Sequence, residues 1–185
     1  SALPFDHIIF TGATSIARHI LRAAADNLTP VTLELGGKSP VIVSKSYPLQ
    51  EAVERIFAGK ILNVGQVCLS PDYVFIPEDQ LDDFCIAANS YICNLFPTLR
   101  ENPDYSSVVN ERHYQRLMSY LEDARQKGAD IREINPANED FSQQQGTHKI
   151  PLTLIVNPSD DLLVMQEELF GPVICIKTYT AVSEC

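Results

Sequence analysis

Apolar and polar residues alternate along this chain with two periods, dividing it into short strands and amphipathic helices. Residues 7–10 read as a short buried strand ending at Gly12. From 14 to 27, Ile16, Ile20, Leu21 and Ala24 recur at helical spacing, with Arg18 and Arg22 outside, and Asn27 and Pro30 close the helix. Strands are predicted over 31–35, closed by Gly36-Gly37, and over 40–44, which leads to a helix over 49–62. A turn-rich stretch, 63–68, precedes a strand at 73–76. Helices follow near 78–96 and 110–127, the second with Tyr114, Leu117, Met118 and Leu121 on one face. Residues 135–149 are polar and aperiodic and read as an exposed loop; 151–156 and 173–179 are late strands, with a short helix or turn within 160–169. Strands alternating with helices imply an α/β fold with a largely parallel sheet and flanking helices.

The 185 residues have room for one domain, or one domain and part of another. No apolar run approaches the roughly 20 residues of a membrane span, so no membrane segment is expected. The first residues lack the succession of a signal peptide, and Pro4-Phe5-Asp6-His7-Ile8 reads like the interior of a fold. A net charge of −10, spread along the chain, argues against a nucleic-acid partner, because phosphate binding needs a basic surface. The five cysteines, Cys68, Cys85, Cys93, Cys175 and Cys185, form neither a disulfide framework nor a zinc pattern. Reducing, cytoplasmic conditions are expected, with any functional cysteine acting as a thiol. His7, His19, His113 and His148 show no metal spacing and no partner acid, and read as structural or surface residues; no metal is expected.

Four spots combine reactive residue types with unusual backbone. Phe10-Thr11-Gly12 stands at a strand end before a helix, where unpaired N–H groups can hold a phosphate; an ordinary βα turn looks the same. Glu34 is a carboxylate in an apolar strand beside two glycines. If buried, its carboxyl is tuned towards a general base; the alternative is an outward-facing strand residue. In Gly65-Gln66-Val67-Cys68 the glycine can bend the chain so that Cys68 and its own N–H face a site, supplying nucleophile and oxyanion donor together. A small buried cysteine is the other reading, and the one kept for Cys85, Cys93 and Cys175. Glu167-Glu168-Leu169-Phe170-Gly171-Pro172 offers acids for a sugar hydroxyl and an aromatic for a flat ring, or is an acidic turn.

Together these spots are far more specific than any one of them. Leu33-Glu34-Leu35-Gly36-Gly37-Lys38-Ser39-Pro40 resembles the glutamate signature of the aldehyde dehydrogenase superfamily. Asn63-Val64-Gly65-Gln66-Val67-Cys68 resembles its cysteine signature, with Cys68 34 residues after Glu34. Glu167 to Pro172 resembles its third motif, and Phe10-Thr11-Gly12 its turn at the cofactor phosphates. Leu28-Thr29-Pro30-Val31-Thr32, Pro71-Asp72-Tyr73 and Pro103-Asp104-Tyr105, leading to Asn110 and His113, are similar to the class 3-like branch, and the general likeness within it is to bacterial coniferyl aldehyde dehydrogenases.

The resemblance implies oxidation of an aldehyde, aromatic or medium- to long-chain aliphatic, to the acid with NAD or NADP. It makes Cys68 the nucleophile and Glu34 the base that hydrolyses the thioester. It puts Thr11 and Gly12 near the pyrophosphate, the Leu35 backbone at the carboxamide, Glu168 at the nicotinamide ribose and Phe170 near the ring. Ala13 and Ala17 depart from the family's phosphate turn, and 135–149 looks longer than its counterpart. Family members are commonly more than twice this long. Residues 1–35 are therefore expected to end a dinucleotide-binding domain and 36–185 to form most of a catalytic domain, each incomplete. The whole protein is expected to be a homodimer, and this chain alone to have little or no activity. Two other readings remain: a non-catalytic folding or oligomerisation module, which has no reason to bind NAD, and a cysteine hydrolase, which needs a histidine base beside the thiol.

Overall fold

The computed structural model describes residues 3–142, 144 and 146–185. The chain divides into two compact units, one ending at Gly37 and the other beginning at Lys38.

The first unit is a βαβ crossover. Strands β1 (Ile8–Thr11) and β2 (Val31–Glu34) pair in parallel, Ile8 opposite Val31 and Thr11 opposite Glu34. A parallel pair needs a long crossover, supplied by helix α1 (Thr14–Ala25). Ala17 and Ala24 are the buried residues of α1. The strand at 7–10 was expected to be buried, yet β1 alternates: Ile8 and Phe10 are half-buried while Ile9 is 73% exposed. A two-stranded sheet with one helix covers only one face.

The second unit is built on a five-stranded sheet. In chain order it contains β3 (Ser39–Ile42), α2 (Leu49–Ile61), β4 (Pro71–Pro77), α3 (Leu81–Leu95), α4 (Glu111–Gln126), β5 (Asp130–Ile134), β6 (Leu152–Val156), α5 (Leu163–Gln166) and β7 (Val173–Tyr179). The spatial order is β3-β4-β7-β6-β5; β5 is antiparallel to β6 and the other neighbours are parallel. Every residue of β6 is buried, the mark of a strand covered on both faces. Alternate residues serve two cores. Leu152, Leu154, Val156, Ile174 and Ile176 pack with Val53, Phe57, Phe84, Ala88 and Ile92 of α2 and α3. Ile155, Val173 and Cys175 pack with Leu117, Leu121 and Ala124 of α4. Helix α4 begins at Asn110, whose side chain accepts the His113 amide at 3.0 Å.

Three further features depart from the sequence reading. Strand β5 was not anticipated, because Asp130, Arg132 and Glu133 erase its apolar pattern; charge of this kind is how an edge strand is kept from pairing further. The polar stretch 135–149, of which 143 and 145 lie outside the described residues, is pinned rather than merely exposed. Its Glu139 carboxylate accepts the Leu99 and Arg100 amides at 2.6 and 3.1 Å, and Lys149 Nζ donates to the Leu99 and Asn102 carbonyls at 2.9 and 2.7 Å. Finally, His148 does have an acid partner: its Nε2 lies 2.7 Å from Glu111, 37 residues earlier, a pairing that no local motif reveals.

Candidate active site

The turn that presents Cys68 begins where α2 ends. Asn63, Val64 and Gly65 all adopt the left-handed region, with φ of 49°, 48° and 79°. Glycine adopts this conformation freely, whereas a β-branched residue such as Val64 does so only when its surroundings impose it. Those surroundings are visible. Val64 is buried, and the Gln66 side chain ties the turn down. Its amide nitrogen donates to the carbonyls of Asn63 and Ser107 at 3.1 and 2.9 Å, and its oxygen accepts the Val109 amide at 2.8 Å. Ser70 N then donates to the Val67 carbonyl at 2.9 Å, so Cys68 sits within a closed turn with its side chain exposed.

Burial separates Cys68 from the cysteines of the cores. Cys175 is buried on β7, and desolvation pushes its thiol up to about 12. Burial also raises Cys85. A thiol acts as a nucleophile only as thiolate, so these two are inert packing residues, as expected.

The third motif lies against the same turn. A Cβ on Gly65 would collide with the Gly171 carbonyl oxygen and stand 3.0 Å from the Gly171 carbonyl carbon. Gly171 is glycine for a similar reason, since a Cβ there would run into the Leu117 side chain from α4. The segment before it is held by its backbone. Arg116 donates to the Glu168 and Leu169 carbonyls at 2.9 and 2.7 Å. The buried Asp72 accepts the Leu169 amide at 3.2 Å and the Lys38 ammonium at 3.3 Å, and Lys38 also donates to the Val164 and Glu167 carbonyls at 2.7 and 3.3 Å. Glu168 and Phe170 are half-buried, Phe170 with a left-handed φ of 46°.

The other expected site residues belong to the first unit. Thr11 ends β1 directly opposite Glu34, and the Gly12 amide donates to the Glu34 carbonyl at 3.1 Å. Glu34 is exposed in this chain, the outward-facing alternative; Leu35 is half-buried. Helix α1 starts at Ala13 with no side-chain cap and no acid in its first turn. Among the described residues no group of three or more His, Cys, Asp or Glu could hold a metal, and no helix is long and apolar enough to cross a membrane.

Sequence reasoning missed Lys38, Lys60, Asp72 and Arg116. For Lys60 a signal existed: with Val53, Ile56 and Phe57 it continues the buried stripe of α2, a lysine at a core position.

Known proteins resemble this chain in sequence and fold. The aldehyde dehydrogenase family profile matches residues 3–185. A coniferyl aldehyde dehydrogenase of Pseudomonas sp. is 55% identical over 97% of this chain and 37% of its own length. The substrate-bound AldH of Staphylococcus aureus superposes with a TM-score of 0.86 at 38% identity, over 99% of this chain and 38% of that one. The NAD+ complex of a Bacillus cereus aldehyde dehydrogenase superposes at 0.81 and 27% identity, over 97% of this chain and 36% of that one. The chain thus spans under two fifths of the length of these relatives, and it belongs to the aldehyde dehydrogenase family.

Proposed function

We propose that this chain carries the nucleophile and the general base of an enzyme that oxidises an aldehyde to its carboxylic acid. The observation that carries the reading is the exposed Cys68 on a left-handed turn whose Gly65 is seated on Gly171 of the third motif. The 55% identical coniferyl aldehyde dehydrogenase points to an aromatic aldehyde such as coniferaldehyde, with medium- or long-chain aliphatic aldehydes next.

In this reading Cys68, as thiolate, adds to the aldehyde carbon to form a thiohemiacetal, and its own backbone N–H donates to the oxyanion. A bound dinucleotide would supply the acceptor for the hydride that the thiohemiacetal carbon gives up, and Cys68 would then carry the acyl group as a thioester. Glu34 takes a proton from water, whose oxygen attacks the thioester; the acid departs and the thiol is restored. Such base assistance contributes roughly 10²–10⁴ in rate.

NAD or NADP is the proposed cofactor, and the residues present are compatible with it. The uncapped, acid-free start of α1 after Thr11-Gly12 suits a pyrophosphate. Arg116 clamps the backbone at 168–169; in this reading Glu168 would hold a ribose hydroxyl, Phe170 would pack near the nicotinamide ring, and the Leu35 backbone would meet the carboxamide. The whole protein is proposed to be a cytoplasmic homodimer. Residues 1–35 would belong to its dinucleotide-binding domain and 36–185 to its catalytic domain, and this chain alone would turn over little.

The test is a chimera in which this chain replaces the matching segment of the Pseudomonas enzyme, followed at 340 nm with NAD or NADP and coniferaldehyde. Reduced cofactor is expected from the parent chimera, none from Cys68→Ala, and slow thioester hydrolysis from Glu34→Gln. A folded chimera that is silent with every aldehyde, or equally active as Cys68→Ala, overturns the proposal.

A further inference from the structure

Lys60 lies in the last turn of α2, 1% exposed, and its Nζ has no hydrogen-bond partner among the described residues. An ammonium carries three donors and no acceptor, and burying it unpaired is among the costliest arrangements a core can hold. A methionine or leucine would fill this place on the apolar stripe without that cost.

What lies at the end of the side chain suggests why a cation stands there. Lys60 Nζ is 3.2 Å from the point where a Cβ on Gly65 would be, and the Gly171 carbonyl oxygen converges on that same point. The ammonium is therefore set against the left-handed backbone three residues before Cys68, at the contact between the nucleophile turn and the third motif. The charged and titratable groups facing it are Asp72 on β4 and Cys175 on β7, with Lys38 just before β3. Three residues of chain reach at most roughly 11 Å, within range of an incompletely screened charge in a protein interior.

We propose that Lys60 is a positioning residue for Cys68: its buried ammonium braces the Gly65–Gly171 contact and places a positive charge behind the turn that presents the nucleophile. The role rests on Cys68 being the reactive thiol of the reading above. It also makes the site pH-sensitive. Burial brings the Lys60 ammonium down to about 8, against the pull of Asp72 and Cys175 and with the push of Lys38, so the brace is charged at neutral pH and is lost in mild alkali.

The test is the rate at which iodoacetamide alkylates Cys68, located by peptide mass spectrometry, from pH 6.5 to 9.5 in this chain and in Lys60→Met and Lys60→Arg. The ratio of Lys60→Arg to wild-type rate isolates the loss of the Lys60 charge, since growing thiol ionisation by itself draws the ratio of wild-type to Lys60→Met rate towards one. That second ratio is expected to be roughly tenfold at pH 7 and to fall towards one as pH passes 8. Lys60→Arg, charged throughout, should match the wild type below pH 8 and outpace it above. Either ratio independent of pH, or equal to one throughout, means that Lys60 acts by shape alone and overturns the proposal. Should Lys60→Met fail to fold, judged by circular dichroism, the comparison with Lys60→Arg decides alone, and parallel profiles overturn the proposal. Because neither aldehyde nor dinucleotide enters this measurement, it can fail while the 340 nm assay succeeds, and the reverse.

Discussion

The backbone of Gly65 rests directly on the carbonyl of Gly171, so close that no methyl group fits between them. This one contact joins the turn before Cys68 to the segment bearing Glu168 and Phe170, more than a hundred residues later in the chain. On each side of it a bulky residue is held in the left-handed region, Val64 at φ 48° and Phe170 at φ 46°. Strain of that kind persists only where packing over-determines it. Here the packing comes from the Gln66 hydrogen bonds on one side and the Arg116 clamp on the other.

Gly65→Ala is therefore expected to be severe. It places a Cβ at φ 79° and against the Gly171 carbonyl, which together cost about 2–4 kcal/mol. Urea unfolding should show that loss, and Cys68 alkylation should lose its wild-type rate even where the chain remains folded. Gly171→Ala meets the Leu117 side chain, which can move, so it should cost less than Gly65→Ala. Equal losses would mean that the contact with Gly171 does not position the turn.

The guanidinium of Arg116 spans two carbonyls of the third motif, and a lysine cannot reproduce this fork. Arg116→Lys should raise the KM for dinucleotide in the chimera by about tenfold, with a smaller change in kcat, because the Glu168 backbone loses its hold. Arg116→Lys with unchanged KM would show that Glu168 is held without the clamp.

Thiol accessibility gives a third expectation. Cys68 and Cys185 are exposed, Cys93 is half-buried, and Cys85 and Cys175 are buried with their thiols pushed upward. In native buffer iodoacetamide should label Cys68 and Cys185 first, and Cys175 only as the chain unfolds. Early labelling of Cys175 would mean that α4 and α5 do not seal β7 in solution.

Much of this was legible in the sequence, for identifiable reasons. Strand β7 and the helices over Leu49–Ile61 and Glu111–Gln126 declare themselves because apolar residues recur at one clean period, and the last of them also starts at the Asn110 cap. Strand β5 does not, because an edge strand with Asp130, Arg132 and Glu133 has traded its apolar pattern for charge. The expectations for Cys68, Glu34 and Glu168 come from residue chemistry that a short motif encodes. Asp72 and Arg116 are invisible in that way, since each bonds backbone atoms brought near only by folding: Asp72 meets an amide 97 residues away. Lys60 was within reach, as a charge on a helix stripe otherwise filled by Val53, Ile56 and Phe57.

Lys60 also predicts how stability depends on pH, with a sign opposite to that of an ordinary salt-bridged lysine. Burial holds its folded-state value at about 8, below the 10.5 of an unfolded lysine. Between those two values the unfolded chain binds the extra proton, so unfolding becomes harder as pH rises, and the Lys60 contribution climbs from about pH 8 to 10.5. Below pH 8 the penalty for charging the buried group is present in full, on the order of 3 kcal/mol. Lys60→Met should thus be more stable than the wild type at pH 7 by up to that amount, with the difference vanishing near pH 10.5. Urea midpoints of the two proteins across this range measure it, and the difference between them removes every titration they share. A destabilised Lys60→Met at pH 7 would mean that the ammonium is paired and stabilising. A gain in stability together with slower Cys68 alkylation would show that the fold tolerates a costly buried charge for the sake of its nucleophile.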